Sequence, residues 1–388
     1  MTIFTTSKEV KALCQRLGKA EFVTVDTEFI RESTYWPQLC LIQVAGPEEA
    51  ACIDPLAKDI DLAPFNDLLM NPGIVKVFHA ARQDLEIFDH RMGKLPEPLF
   101  DTQVAAMVCG FGDSVGYDNL IQKICGIQLD KSSRFTDWSR RPLTEKQITY
   151  ALNDVTHLRV AYSKLREMIA ESGRGSWLAE EMAVLSDVKT YRTSPDEAWL
   201  RLKPRTTKPR FLSILREVAA FREHEAQARD LPRGRILRDE ALEEIAAHPP
   251  ATVDDLARIR GVSKNWAEGK MGQALLKAVL KGVELPLDAA PKLPAKPNVG
   301  HYSHATVELL KVLLRHIADD GNVAPRLIAT TSDLEAIAAS DKAETPALVG
   351  WRREIFGEQA LALKNGKLSL SVKKGKLQLI QIETEKKA

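Results

Sequence analysis

The sequence predicts an α/β domain followed by all-α modules: a mixed sheet flanked by helices, then two helical blocks. Three observations carry this expectation. Short strand-like runs crowd the N-terminal region, strand and helix patterns then alternate, and from about Pro209 the strand pattern disappears.

In chain order, Glu21 to Phe29 alternates apolar with polar, Leu39 to Val44 is a short apolar run, and Ala51 to Ile53 stops at Asp54-Pro55. These three read as consecutive antiparallel strands. Leu62 to Met70 has helical spacing and stops at Asn71-Pro72-Gly73. Ile74 to Phe78 then reads as a fourth strand feeding a helix from about Arg82 to Met92. A long helix is expected from Thr144, with Gln147 in the capping-box position, toward Glu171. Helical patterns at Phe211 to Ala228, Asp239 to Ala247, Val253 to Ile259 and Ala274 to Leu280 describe a compact helical module. Pro286, Pro291, Pro294 and Pro297 make 285–300 a stiff spacer. A second helical block, His304 to Phe356, reads as a divergent copy of the first, and alternation between Leu361 and Ile382 reads as a small hairpin. The expected division is 1–200, 201–284, the spacer 285–300, and 301–388 with a C-terminal extension.

With 388 residues, the chain needs no disulfide scaffold to fold. Its 54 Lys+Arg against 53 Asp+Glu leave a net charge of +1, so a nucleic-acid partner must be held by local basic patches. The five cysteines lack C-x-x-C or metal-ligand spacing and read as reduced thiols of a cytoplasmic protein. No apolar run is long enough for a membrane span, and no phosphate-binding G-x-x-x-x-G-K-[ST] loop suggests an ATP motor.

Carboxylates stand where a core wants apolar side chains. Asp26 and Glu28 are two apart within one strand and so project from one face. Aspartate is depleted in strands, and two like charges converging there repel unless a divalent cation bridges them. A solvated edge strand would explain the pair equally well. Asp84 opens the helix after the fourth strand, where helix-dipole complementation is an alternative. Tyr150 and Asp154 lie four apart on one helical face, as a half-buried tyrosine and an unrelated surface acid also would.

Together, Asp26 with Glu28, Asp84, and Tyr150 with Asp154 resemble, in order and spacing, the three motifs of the DEDD exonuclease superfamily in its tyrosine subclass. The words Val25-Asp26-Thr27-Glu28-Phe29, Tyr35-Trp36-Pro37, Leu39-Cys40-Leu41-Ile42-Gln43, Phe100-Asp101-Thr102, Asp137-Trp138 and Arg141-Pro142-Leu143 are similar to those of the ribonuclease D family. The likeness spans about residues 1 to 200, and Pro209 to Gly282 resembles an HRDC domain. The resemblance implies a ribonuclease H-like sheet and 3′→5′ exoribonuclease action releasing nucleoside 5′-monophosphates. It implies two Mg²⁺ ions, with Mn²⁺ as a substitute. Asp26 would be shared by both ions, with Glu28 and Asp154 completing one site and Asp84 supporting the other through water. Tyr150 would orient the attacking water. The implied partner is RNA with a free 3′ end, transfer RNA precursors above all, bound by a monomer without membrane attachment.

Candidate RNA-binding residues flank these motifs: Arg82, Arg140 and Arg141 for phosphates, Tyr35, Trp36 and Phe135 for base stacking. A Tyr-Trp-Pro turn packed into the core is the alternative for the first two aromatics. Phe100-Asp101-Thr102-Gln103 suits a helix cap better than a ligand. Two further readings stay open on residues alone: a non-catalytic RNA-binding scaffold that kept a nuclease fold, and a DNA 3′→5′ proofreading-type exonuclease.

Overall fold

The computed structural model describes residues 3–294 and 301–382. The N-terminal half holds β1 (Ile3–Phe4), α1 (Ser7–Leu17), β2 (Phe22–Ile30), β3 (Gln38–Ala45), β4 (Ala50–Ile53), α2 (Ala63–Leu69), β5 (Val75–Phe78) and α3 (Arg82–Met92). It continues through β6 (Leu99–Asp101), α4 (Thr102–Val108), α5 (Tyr117–Cys125), α6 (Glu145–Ser172) and α7 (Gly175–Leu185).

The sheet order is β1-β4-β3-β2-β5-β6. β2, β3 and β4 pair antiparallel as the sequence predicts, while β5 joins β2, and β6 joins β5, in parallel. β1 and β6 are too short for an alternation pattern to reveal them. One face of β2 buries Val23 and Val25 against α1, α2 and α3 through Leu13, Phe65 and Phe88. The other face lies under α6: the Thr24 hydroxyl donates to the Val155 carbonyl at 2.8 Å, setting the height of α6 above β2. The expected capping box of Thr144 and Gln147 starts α6, and Gly173 in a left-handed conformation ends it.

The helical half comprises α8 (Pro209–Ala228), α9 (Arg233–Ile236), α10 (Asp239–Ala247), α11 (Val253–Ala257), α12 (Lys264–Glu268) and α13 (Lys270–Glu284). After the spacer, of which 295–300 lie outside the described residues, come α14 (His304–Asp320), α15 (Pro325–Ile328) and α16 (Thr331–Ala339). α17 (Gly350–Arg352), a π-helical turn and α18 (Glu358–Lys364) follow. The expected hairpin is β7 (Leu368–Lys373) and β8 (Lys376–Gln381).

The two helical blocks share a plan at a constant spacing of 92 positions. Asp230 and Asn322 both sit in left-handed turns, and α9 with α10 corresponds to α15 with α16. Buried Leu215, Val218, Ala226, Ile236, Leu242 and Ile245 match buried Val307, Leu310, Ala318, Ile328, Leu334 and Ile337. The first block closes its own core, whereas the second shares one with α4, α6 and α7. No described helix is long and apolar enough to cross a membrane.

Candidate active site

Alternation along β2 aims Asp26 and Glu28 at the α6 face, and the Thr24–Val155 bond brings Asp154 beside them. One carboxylate oxygen each from Asp26, Glu28 and Asp154 lie within 4.8 Å of one another. Asp84 stands apart from that trio. Its carboxylate accepts a short hydrogen bond from the Thr27 hydroxyl, and it is buried close enough to Asp26 for each to repel the other's charge.

The turn that delivers Asp84 has its own clamp. Asp101 caps α4 through Gln103 N and Val104 N, and its carboxylate also accepts from Ala80 N at 3.1 Å and Ala81 N at 2.8 Å. With four backbone donors on it, Asp101 is a structural acid, as its cap motif predicts.

The four carboxylates are crowded and desolvated. Burial pushes Asp26 up to about 7. Burial, then Asp26, Asp154 and Asp84, pushes Glu28 up to about 10 against the pull of Arg134. Burial and Asp26 raise Asp84 and Asp154 well above the carboxylate range. Such a set sheds its protons when cations arrive to replace them. Hard oxygen donors without thiol or imidazole ligands suit Mg²⁺ or Mn²⁺, so the residues fit the cations expected of them.

Tyr150, one helical turn before Asp154, hydrogen-bonds to its carboxylate. Burial and the surrounding acids raise its pKa, so the phenol keeps its proton. A cavity of about 320 Å³ opens beside the acids, lined among others by His79, Tyr117, Lys131, Arg134 and Tyr150. Thr102 Oγ1 donates to the Phe78 carbonyl and lies 3.0 Å from His79 Nδ1, which fixes the imidazole at the cavity wall.

The stacking and phosphate candidates divide. Phe135 is 90% exposed, with the Arg134 guanidinium 5.2 Å from its ring centre, on the loop that also brings Lys131 and Arg134 to the cavity. Arg140 is on the same loop, exposed and paired loosely with Asp137. Arg82 is exposed at a second cavity, shared with Arg31, Arg201 and Arg233. Tyr35 is a correction: it is 5% exposed, and its hydroxyl bonds to Glu223, Gln227 and Arg233 of the first helical block, so it offers no face to a base. Trp36 spends one face on His90, stacked at 4.0 Å. Arg141 is also a correction. Its guanidinium grips both Asp54 oxygens at 2.6 and 2.7 Å and the Cys40 and Trp138 carbonyls, which ties the loop to β3 and leaves it no phosphate.

Residue reasoning passed over Gln43. It is fully buried in β3 directly across from Asp26, and its signals are its place in the family word Leu39-Cys40-Leu41-Ile42-Gln43 and its being the lone amide in the apolar run Leu39 to Val44.

Comparison with known proteins agrees with this geometry. Residues 1–170 match the 3′-5′ exonuclease family model, and residues 211–279 match the HRDC domain model. The chain is 50% identical over 380 residues to ribonuclease D of Granulibacter bethesdensis, covering 98% of this chain and 96% of that one. It is 51% identical over 377 residues to ribonuclease D of Nitrobacter hamburgensis, covering 97% and 98%. The crystal structure of Escherichia coli RNase D, an exoribonuclease involved in structured RNA processing, superposes with a TM-score of 0.78 at 31% identity over 94% of this chain and 98% of that one.

Proposed function

The chain belongs to the ribonuclease D family of 3′→5′ exoribonucleases, and from that premise we propose that Asp26, Glu28, Asp84, Tyr150 and Asp154 carry the reaction. Its exonuclease domain is of a kind that works with divalent metal ions. The observation that carries the assignment is the convergence of the Asp26, Glu28 and Asp154 oxygens within 4.8 Å. Asp26 is in the close trio with Glu28 and Asp154 and also bears on the charge of Asp84, which supports reading it as the ligand that two ions would share. Such ions supply charge stabilisation and a more acidic attacking water.

The rest falls to the chain. Tyr150, donating to Asp154, keeps lone pairs that accept from the attacking water and aim it at phosphorus. The water oxygen bonds to phosphorus as the water gives up a proton, the bond from phosphorus to O3′ of the penultimate nucleotide breaks, and that O3′ takes up a proton from solvent, so that in net one water is split between the two products. The products are a nucleoside 5′-monophosphate and RNA shortened by one residue. Arg134 places positive charge at the cavity, where Lys131 is paired with Asp118, and exposed Phe135 offers a face to an arriving base. The substrate we propose is structured RNA with a 3′ tail, transfer RNA precursors first, bound by a cytoplasmic monomer. All five cysteines are free thiols, consistent with a reducing compartment.

Incubation with a 3′-extended transfer RNA and Mg²⁺ is expected to release 5′-mononucleotides, and chelator to stop it. Asp26→Asn and Asp154→Asn are expected to abolish release while leaving RNA retention on a filter intact. Nuclease rates equal to the parent's would refute the assignment, and faster loss of single-stranded DNA than RNA would reassign the substrate.

The raised carboxylates also set a pH dependence. Their folded pKa values lie above the ordinary range near ~4, so their stabilising contribution is full at low pH and drains away as pH rises toward about 7 for Asp26 and about 10 for Glu28. The Tm of the chain in chelator is therefore expected to fall from pH 6 to pH 9, and added Mg²⁺ to raise it more at pH 9 than at pH 6. A Mg²⁺ increment that stays constant with pH would contradict this.

A further inference from the structure

A buried polar atom without a partner forfeits its hydration with no bond in return, so native structures keep few of them. Among the described residues, the buried side-chain atoms without a hydrogen bond are Gln43 Nε2 and Oε1, His79 Nε2, Trp138 Nε1 and Arg222 Nε. All but the last surround the carboxylates. His79 lines the cavity, and the Trp138 ring lies 6.0 Å from Tyr150.

Gln43 is the extreme case, because its whole amide is unsatisfied in a residue that is 0% exposed. A methionine or leucine would fill similar volume without the penalty. Register shows what the amide is near. Asp26, Gln43 and Cys52 form one row across β2, β3 and β4. Directly paired residues share a face, with Cβ atoms about 4.5–5.5 Å apart. The Asp26 carboxylate is thus within reach on one side and the Cys52 thiol on the other, while Ala151 of α6 packs over Leu41 and Cys52. Burial pushes Cys52 up to about 12, so it stays a thiol and a weak donor. An ionised aspartate accepts hydrogen bonds only. A neutral amide supplies a donor without competing for the charge a cation needs, which Lys or Arg in that place would do.

We propose that Gln43 is a positioning residue for the nuclease reaction, its Nε2–H donating to the Asp26 carboxylate when the acids hold their cations and so fixing which oxygen each cation meets. The inference rests on the reading of Asp26 as a metal ligand. Outer partners of metal ligands of this kind are worth roughly 10–100-fold in affinity or activity.

The test is Gln43→Met, which keeps the volume and removes the amide. In chelator its Tm is expected to equal or exceed the parent's. Mn²⁺ titration followed by electron paramagnetic resonance is expected to show at least about 10-fold weaker binding, and kcat on single-stranded RNA to fall by a similar factor with KM little changed. Parental Mn²⁺ affinity and kcat in a folded Gln43→Met variant would overturn the proposal and leave the metal site standing. Failure of the parent itself to bind Mn²⁺ would overturn both. Should the variant not fold, the parent decides: the Gln43 side-chain amide resonances must move with Mg²⁺ at the midpoint of metal binding, and resonances that stay fixed through saturation refute the role.

Discussion

Asp230 and Asn322 occupy equivalent left-handed turns of the two helical blocks, yet they meet the nuclease domain through different chemistry. At the first seam, the Asp230 carboxylate accepts from Trp36 N at 2.9 Å. Beside it, a buried polar knot joins Tyr35, Glu223, Gln227 and Arg233, with the Arg233 guanidinium 4.6 Å from the Tyr35 ring centre. At the second seam the equivalent turn is held through backbone and apolar contacts, and the ion pairs lie apart from it, where Arg352 bonds to Glu180 and Glu181 of α7. Ala324 N donates to the Met107 carbonyl at 2.8 Å, Arg174 gathers the Val108, Gly321 and Asn322 carbonyls, and Trp177 stacks on Trp351 at 4.1 Å. The positions matching Glu223 and Arg233 are Arg315 and Pro325, so the second block cannot form the knot. A block with its own core is locked at this turn by a polar knot, while a block that merges its core with the host is held there by backbone and apolar fit and keeps its ion pairs, Arg352 with Glu180 and Glu181, away from the turn. The duplicated plan thus determines how each block folds and leaves open how it docks.

The largest test of that contrast is at the polar lock. Glu223 is 1% exposed between Arg233 and the Tyr35 hydroxyl. Burial alone would raise its pKa, but the bonds from Arg233 and Tyr35 outweigh that and hold it below the ordinary carboxylate range. Glu223→Ala strands the half-buried Arg233 guanidinium and unpairs the buried Tyr35 hydroxyl, and is expected to cost about 3 kcal/mol at the seam. Denaturant unfolding with a fluorophore on the first block should report that loss while the nuclease transition stays put. Replacing three members of the knot together, with Glu223→Leu, Arg233→Met and Tyr35→Phe, leaves Gln227 its bond to the Thr193 carbonyl and is expected to restore most of the loss. A triple variant as weak as Glu223→Ala would mean the seam depends on charge as such, and the contrast would have to be redrawn.

The same distinction explains what could be read beforehand. β2, β3, β5 and α6 were legible because each has a clear period or cap, and the acids on them were legible because aspartate in a strand is out of place. Their convergence needed the family likeness, since spacing along the chain does not say that the Thr24–Val155 bond brings Asp154 over Asp26. Tyr35 and Arg141 were misjudged for the opposite reason. Aromatic and basic residues next to catalytic motifs look like substrate contacts, and their actual partners are 188 and 87 positions away, in Glu223 and Asp54. Gln43 stands in a family word but has no role legible there, because one amide in an apolar strand marks nothing until the strand register sets it against Asp26.

A smaller effect probes the turn of the second seam, where backbone fit stands in place of the polar knot. Gly110, just past the end of α4, has φ +79°, a conformation that any Cβ strains. A Cβ there would also sit 2.6 Å from the Asn322 carbonyl oxygen, on the turn that docks the second block. The side chain of Asn322 can swing away, but its carbonyl is held by Arg174 Nη1 at 2.9 Å, so the turn itself must give. Gly110→Ala is therefore expected to cost about 1–3 kcal/mol. Because the core here is common to both partners, that cost should appear as a lower Tm for nuclease domain and second block together, with the first block unaffected. If the second block alone became protease-sensitive while the nuclease Tm held, the merged core would not behave as one cooperative unit, and the two seams would be alike in kind after all.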